Sequence, residues 1–154
     1  AGHSCRVITL RDYKISPCHG CFNCFKKTPG ICVFNDDGVE FLREHVNSSL
    51  TVFASPLVMG LPTAILKRMQ DRLFPVLLPE KHIFRNKVHE MPRYDKRPSL
   101  AVILDSNDGI HSQGDAEAVY RMYSNLADDF TTSLVYSTTT DRPASEVANA
   151  LSYI

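Results

Sequence analysis

Four cysteines, Cys18, Cys21, Cys24 and Cys32, stand in the stretch SPCHGCFNCFKKTPGIC as a C-x2-C-x2-C-x7-C run. Two-residue gaps let neighbouring thiolates converge on one centre, and the fourth sulfur returns after the Pro29-Gly30 turn, so the run can cage a metal ion or an iron–sulfur cluster. Three chemistries fit. A [4Fe–4S] cluster takes four thiolates from a compact run of this kind. Structural zinc also takes four, but its sites usually arrive as two C-x2-C pairs set apart, whereas three of these cysteines fall within seven residues. Ordinary thiols, some free and some in a transient disulfide beside a substrate, are the third. The spacing points to redox chemistry.

Two further stretches are candidates for ligand contact. Ser55, Pro56, Leu57, Val58, Met59 and Gly60 form a small loop after an apolar run, with Pro56 and Gly60 fixing a tight bend. Ser106, Asn107, Asp108 and Gly109 follow another apolar run; their small and polar groups can hydrogen-bond a ligand or simply make a turn.

The elements that must position these residues follow from periodicity. CRVITL (5–10) reads as a short strand with Cys5 in the core. A helix starts near Asn35-Asp36-Asp37, whose carboxylates cap free amides, and carries Val39, Leu42 and Val46. LTVFA (50–54) is a buried-type strand, and Pro62 suits the first turn of a helix bearing Ile65, Met69 and Leu73. On that helix Lys67 and Arg72 are expected at the surface, paired with Asp71 or Glu80. From Phe74 to Pro98 no clear period survives, which marks a functional or interface-forming segment. LAVILD (100–105) is a third strand, a helix follows over about 115–130, SLVYS (133–137) is a fourth strand, and Ala144, Val147, Ala148 and Leu151 mark a last helix. Strands alternating with amphipathic helices imply an α/β fold, a parallel sheet with helices on both faces and ligand loops beyond the carboxyl ends of its strands.

Composition narrows the function classes. The 154 residues suit one domain, and 17 Lys and Arg against 17 Asp and Glu give no net charge, so nothing suggests an electrostatic grip on nucleic acid or an anionic membrane. No apolar run approaches the ~20 residues of a membrane span, and AGHSCRVITL lacks signal-peptide organisation, so a cytoplasmic location is expected. Clustered cysteines in such a setting are more often metal or redox residues than structural disulfides.

At the cysteines, at Ile15-Ser16-Pro17-Cys18, at Asp36-Asp37, and at Ser55 to Gly60 with PTAILK and Asp71-Arg72 behind, the chain resembles the flavodoxin-like NAD(P)H-dependent FMN reductases. Among these it is most similar to the iron–sulfur flavoproteins. The resemblance implies FMN, with Ser55 through Gly60 wrapping the flavin ring, Leu57 and Met59 offering it apolar contact, and Ser106 to Gly109 at its other edge. It implies a cluster on the four cysteines, NAD(P)H or a ferredoxin-type donor, a small-molecule or protein acceptor, and no side-chain acid or nucleophile in catalysis. It further implies a homodimer or homotetramer, with 74–98 as the candidate contact. Two departures stand out: Val58 occupies a position where the family commonly has Tyr, and the family's first strand and phosphate loop have no counterpart here. An N-terminally incomplete domain is therefore expected. With the strand order 2-1-3-4-5, the runs 5–10 and 50–54 would then lie about 9.6 Å apart across an empty slot. A redox carrier or sensor without turnover, and a zinc-stabilised interaction domain, are the alternatives.

Overall fold

The computed structural model describes residues 4–105 and 113–154. Ser106, Asn107, Asp108 and Gly109 lie outside the described residues. In chain order the elements are α1 (Asn23–Lys26), α2 (Gly38–Asn47), β1 (Leu50–Val58), β2 (Leu61–Pro62), α3 (Ala64–Asp71), β3 (Leu77–Phe84), β4 (Lys87–Pro92), β5 (Ser99–Asp105), α4 (Gln113–Asp129), β6 (Leu134–Thr139) and α5 (Ala144–Ser152), with 3-10 turns at Leu10–Asp12 and Phe74–Val76.

The central sheet has the order β2-β1-β5-β6. β1 pairs parallel to β5 from Leu50↔Ser99 to Pro56↔Asp105, β6 pairs parallel to β5, and β2 is a short antiparallel return. This is an α/β fold with a mainly parallel sheet, consistent with the flavodoxin-like arrangement. Leu100, Ala101, Val102 and Leu104 are all fully buried, because a central parallel strand is covered on both faces and therefore reads as an unbroken apolar run. Phe53 and Leu57 of β1, Leu66 and Met69 of α3, and Val119 and Tyr123 of α4 complete one core with β5. The other face of β1 differs from expectation. Val52 is 39% exposed, and Ala54 and Val58 are exposed with it, so this strand is covered on a single face and alternates as half-buried strands do.

The strand expected at 5–10 does not form. Residues 4–9 have no ladder partner, Leu10–Asp12 make a 3-10 turn, and Cys5, expected in the core, is exposed. A strand requires a neighbour to take its N–H and C=O groups. Among the described residues, the edge of β1 away from β5 pairs only at Leu57 and Val58, with β2. Arg6 instead lays the segment along α2 by pairing with Glu40 and Glu44. The expected slot thus has one described wall, the edge of β1 from Leu50 to Pro56, and no second strand across it.

Residues 74–98 also resolve into regular structure, a 3-10 turn followed by the antiparallel hairpin β3–β4. Its turn is Arg85-Asn86, with φ of 48° and 62°, the left-handed pair that a two-residue hairpin turn needs and that Asn-Gly usually announces. The hairpin docks on the end of α4 by polar contacts: His82 Nε2 to Thr131 Oγ1 at 3.0 Å, Arg85 to Asp128 at 2.6 Å and His89 Nδ1 to Asp129 at 3.1 Å. Ile83 and Val88 remain exposed on it.

Candidate functional site

The cysteine loop is held at both stems by two adjacent carboxylates. Asp37 accepts the Lys14 amide at 2.6 Å, and Asp36 accepts the Ser16 amide at 2.8 Å and the Gly38 amide at 3.1 Å. The sequence places these aspartates as the cap of α2; they do begin it, but they also tie residues 14–16, where the loop leaves, to residues 36–38, where it returns. A Cβ on Gly38 would lie 3.0 Å from Asp36 Oδ1 and 3.1 Å from Arg72 Nη2. A side chain at this position would press on the ion pair that closes the stem and displace it by a few tenths of an ångström.

That ion pair is the main correction to the sequence reading. Arg72, expected on the surface with Asp71 or Glu80, has a side chain 1% exposed. It grips Asp36 with both terminal nitrogens, at 2.9 and 2.7 Å, and donates to Ser16 O at 2.8 Å and Phe34 O at 3.4 Å. Its guanidinium also lies 5.3 Å from the Phe34 ring centre. Burial opposes the charge on both partners. The bidentate bond to Arg72 and the Ser16 amide nevertheless hold the Asp36 carboxyl far below the ordinary carboxylate range, and Asp36 with Cys32 raises the Arg72 pKa. The expected Lys67–Asp71 pair does form. A signal for Arg72 was present: the buried stripe Leu66, Met69, Leu73 carries Arg72 three residues beyond Met69, on the inward side of α3's last turn.

Between the stems the chain turns through left-handed residues at Gly20 (φ 61°) and Phe22 (φ 54°) and enters the single turn α1, which bears Cys24. The Gly30 amide donates to Cys24 O at 2.9 Å, which brings the strand of chain carrying Cys32 back beside the others. Phe25 stacks on Phe74 at 5.1 Å and Phe22 meets Phe74 edge-on at 5.9 Å, fixing the loop against the end of α3. Cys18, Cys21, Cys24 and Cys32 then line one cavity of about 100 Å³ together with Phe22, Phe34, Arg72 and Phe74. All four are free thiols. Burial raises the Cys24 pKa, and the nearby Cys32 and Cys18 add to the effect, so anionic sulfurs here require a cation among them.

Among the described residues no three His, Cys, Asp or Glu side chains are close enough to hold a single metal ion. A zinc site built from four thiolates needs every sulfur about 2.3 Å from one ion. A cluster instead takes each sulfur to a different metal, which four thiols lining a shared cavity can also provide. One buried donor, Arg72 Nε, has no hydrogen-bond partner, and the side chain that carries it lines this cavity.

The second candidate stretch is more regular than a loop. Ser55 to Val58 belong to β1, and Met59 (φ 53°) and Gly60 (φ 77°) form the two-residue turn into β2. Ser55 is buried, its hydroxyl accepting the Thr63 amide at 3.0 Å, and Leu57 is buried in the core. Neither side chain is therefore presented outward. Val58 and Met59, 54% and 92% exposed, with Pro56 and the backbone of the turn, make up the accessible surface. Pro62, expected in the first turn of a helix, pairs in β2, and α3 begins two residues later.

The structure does not bring the two candidates into one cavity. The cysteine cavity includes none of Ser55 to Gly60 and sits at the C-terminal end of α3, beside Asp71 and Arg72. The β1–β2 turn feeds the opposite end of the same helix, whose eight residues span about 12 Å. The expected gathering of loops on one sheet edge is overturned for the cysteines, because their loop follows no strand.

Comparison with curated proteins adds a family likeness. Over 71 residues the chain is 35% identical to an iron–sulfur flavoprotein of Archaeoglobus fulgidus, and over 87 residues it is 33% identical to one of Methanocaldococcus jannaschii. A further Archaeoglobus fulgidus iron–sulfur flavoprotein is 31% identical over 87 residues. The chain resembles the iron–sulfur flavoproteins. The matches cover 46% to 56% of this chain and 34% to 44% of the relatives, so less than half of each relative's length is represented. No family model matches the chain, and no solved structure matches it.

Proposed function

We propose that the chain is part of an FMN-dependent oxidoreductase that moves electrons between NAD(P)H or a ferredoxin-type donor and a small-molecule or protein acceptor, with a [4Fe–4S] cluster on Cys18, Cys21, Cys24 and Cys32. The observation that carries this reading is the set of four thiols, none in a disulfide, around one cavity that the buried Arg72 guanidinium also lines. The relatives' names point the same way: they join a flavin to iron and sulfur. A bound cluster supplies one-electron steps, and a flavin both one- and two-electron steps. The chain's own residues supply placement: Asp36, Asp37 and Arg72 fix the stems of the cysteine loop, and the Met59-Gly60 turn presents an exposed apolar edge suited to a flat ring.

A cytoplasmic location accords with this chemistry, and among the described residues no helix is long and apolar enough to cross a membrane. We read the exposed Ile83 and Val88 of the β3–β4 hairpin as the subunit contact of a homodimer or homotetramer. The test is anaerobic purification of the whole protein with assay of iron, sulfide, zinc and flavin. Iron and sulfide near four each per chain with stoichiometric FMN are expected. Zinc alone, or thiols without metal, would overturn the cluster. NAD(P)H oxidation with added acceptors separates an enzyme from a carrier, and light scattering at micromolar concentration tests the subunit contact.

A further inference from the structure

We propose that Arg72 is the resident cation of the cysteine cavity, donating its Nε–H to a sulfur of the group held there and raising that group's reduction potential; this rests on the cluster reading above.

Arginine has five N–H donors and no acceptor. Four of the bonds Arg72 makes run from its terminal nitrogens, to Ser16 O, Phe34 O and the two oxygens of Asp36. All four serve the stem of the loop. Nε is buried with no oxygen or nitrogen accepting from it, which is costly for a charged donor unless something meets it, and the group the guanidinium faces besides Asp36 is the Cys32 sulfur. Arg72 lines the cavity with Cys32 and with Asp71, whose carboxylate is paired with Lys67, whereas Asp36 is not part of the lining. The pair is therefore oriented, with the cation toward the sulfurs and the carboxylate behind it. A Cβ at position 38 would press on both partners, so the packing enforces that orientation.

The consequence is electrostatic. One-electron reduction adds a negative charge next to the sulfurs, supplied by the low-potential donor of the proposed function. Arg72 offsets that charge and keeps all its protons, and no bond forms or breaks at it. Hydrogen bonds to sulfur and local charge are among the factors that set cluster potentials. Lysine, a point charge on a flexible stem, reproduces the charge without the fork or an Nε–H in this position.

The test is a redox titration, followed by paramagnetic resonance, of anaerobically purified whole protein as wild type, R72K, and the pair R72Q with D36N, which removes both charges together. Iron per chain and the far-UV spectrum are recorded alongside. The paired variant is expected to keep iron and to lower the midpoint by at least a tenfold change in the reduction equilibrium, about 59 mV for one electron, with R72K falling between it and wild type. A stem role alone would alter iron content or folding and leave the midpoint of the loaded fraction in place. Midpoints for loaded R72K and the paired variant within about 10 mV of wild type, well under the tenfold step, overturn the inference. Should the paired variant not fold, R72K alone decides on the same criterion. Wild-type protein without iron and sulfide overturns the cluster reading itself, and the inference with it.

Discussion

Replacing Asp36 by Asn tests whether the stem of the cysteine loop is held by an ion pair or only by packing. The substitution preserves shape and leaves one carbonyl acceptor for the Ser16 or Gly38 amide, but it strands a guanidinium whose side chain is 1% exposed. Breaking a buried pair from one side costs about 3–5 kcal/mol, chiefly through the charge left behind. Domains of this kind are stable by only about 5–15 kcal/mol in all, so the loss should be plain in urea unfolding at pH 7, with the thiols kept reduced and no metal added. The pH dependence gives an independent check. Asp36 has a folded pKa far below its unfolded value, so its stabilisation is complete above the unfolded pKa of about 3.9 and is lost as pH falls through the folded one. By pH 3 about 1.3 kcal/mol of the difference between wild type and D36N should already be gone, as linkage to that unfolded value requires. Groups common to both proteins cancel in the comparison. A difference below about 1 kcal/mol at pH 7, the range of an exposed pair, or an equal difference at pH 7 and pH 3, would refute the argument.

Three other perturbations follow from the geometry. His45, buried against Thr51 with its pKa pushed down to about 4 by burial, stays neutral in the fold while the unfolded chain takes up a proton below pH 6.5 or so; stability should therefore fall by up to about 3 kcal/mol between pH 6.5 and 4, and H45N should flatten that slope in urea midpoints. Gly60→Val puts a β-branched residue at φ 77° with its Cβ 3.1 Å from Asp115 Oδ1, costing about 1–2 kcal/mol in thermal unfolding and weakening flavin binding about tenfold by fluorescence titration; unchanged flavin affinity would count against the β1–β2 turn as a flavin site. Tyr123→Phe removes a fully buried hydroxyl whose polar neighbour is Gln70, so thermal unfolding should show a loss of no more than about 1.5 kcal/mol, the worth of one neutral hydrogen bond; a larger loss would mean that the hydroxyl holds more than that neighbour.

What the sequence made legible was local. The cysteine spacing needs no fold to be read, and β5 announced itself because a strand buried on both faces is apolar at every position from Leu100 to Leu104. Lys67–Asp71 is an i,i+4 pair, readable from one helical turn. Illegible features depend on distant partners. The run CRVITL has the composition of a strand, but pairing is decided by a neighbour, and Glu40 and Glu44 on α2 claim Arg6 instead. The β3–β4 hairpin was hidden by its Arg85-Asn86 turn, which adopts left-handed geometry without a glycine to advertise it.

Arg72 is the sharpest case. Its immediate sequence offers Asp71, and a charged side chain at the end of a short helix reads as solvated, yet its partner is 36 residues away. The choice between those carboxylates is made by access. Asp71, at the rim of the cavity, is half exposed and taken by Lys67, while position 72 follows the inward stripe of α3 and can meet only what packs there. What packs there is the returning stem of the cysteine loop, ending at Gly38, where a larger residue would crowd the guanidinium. A buried arginine, an aspartate pair and a glycine are thus one device spread over the sequence, and each member taken alone has an ordinary explanation: surface charge, helix cap, helix start. The fold joins them, and it does so at the base of the four cysteines.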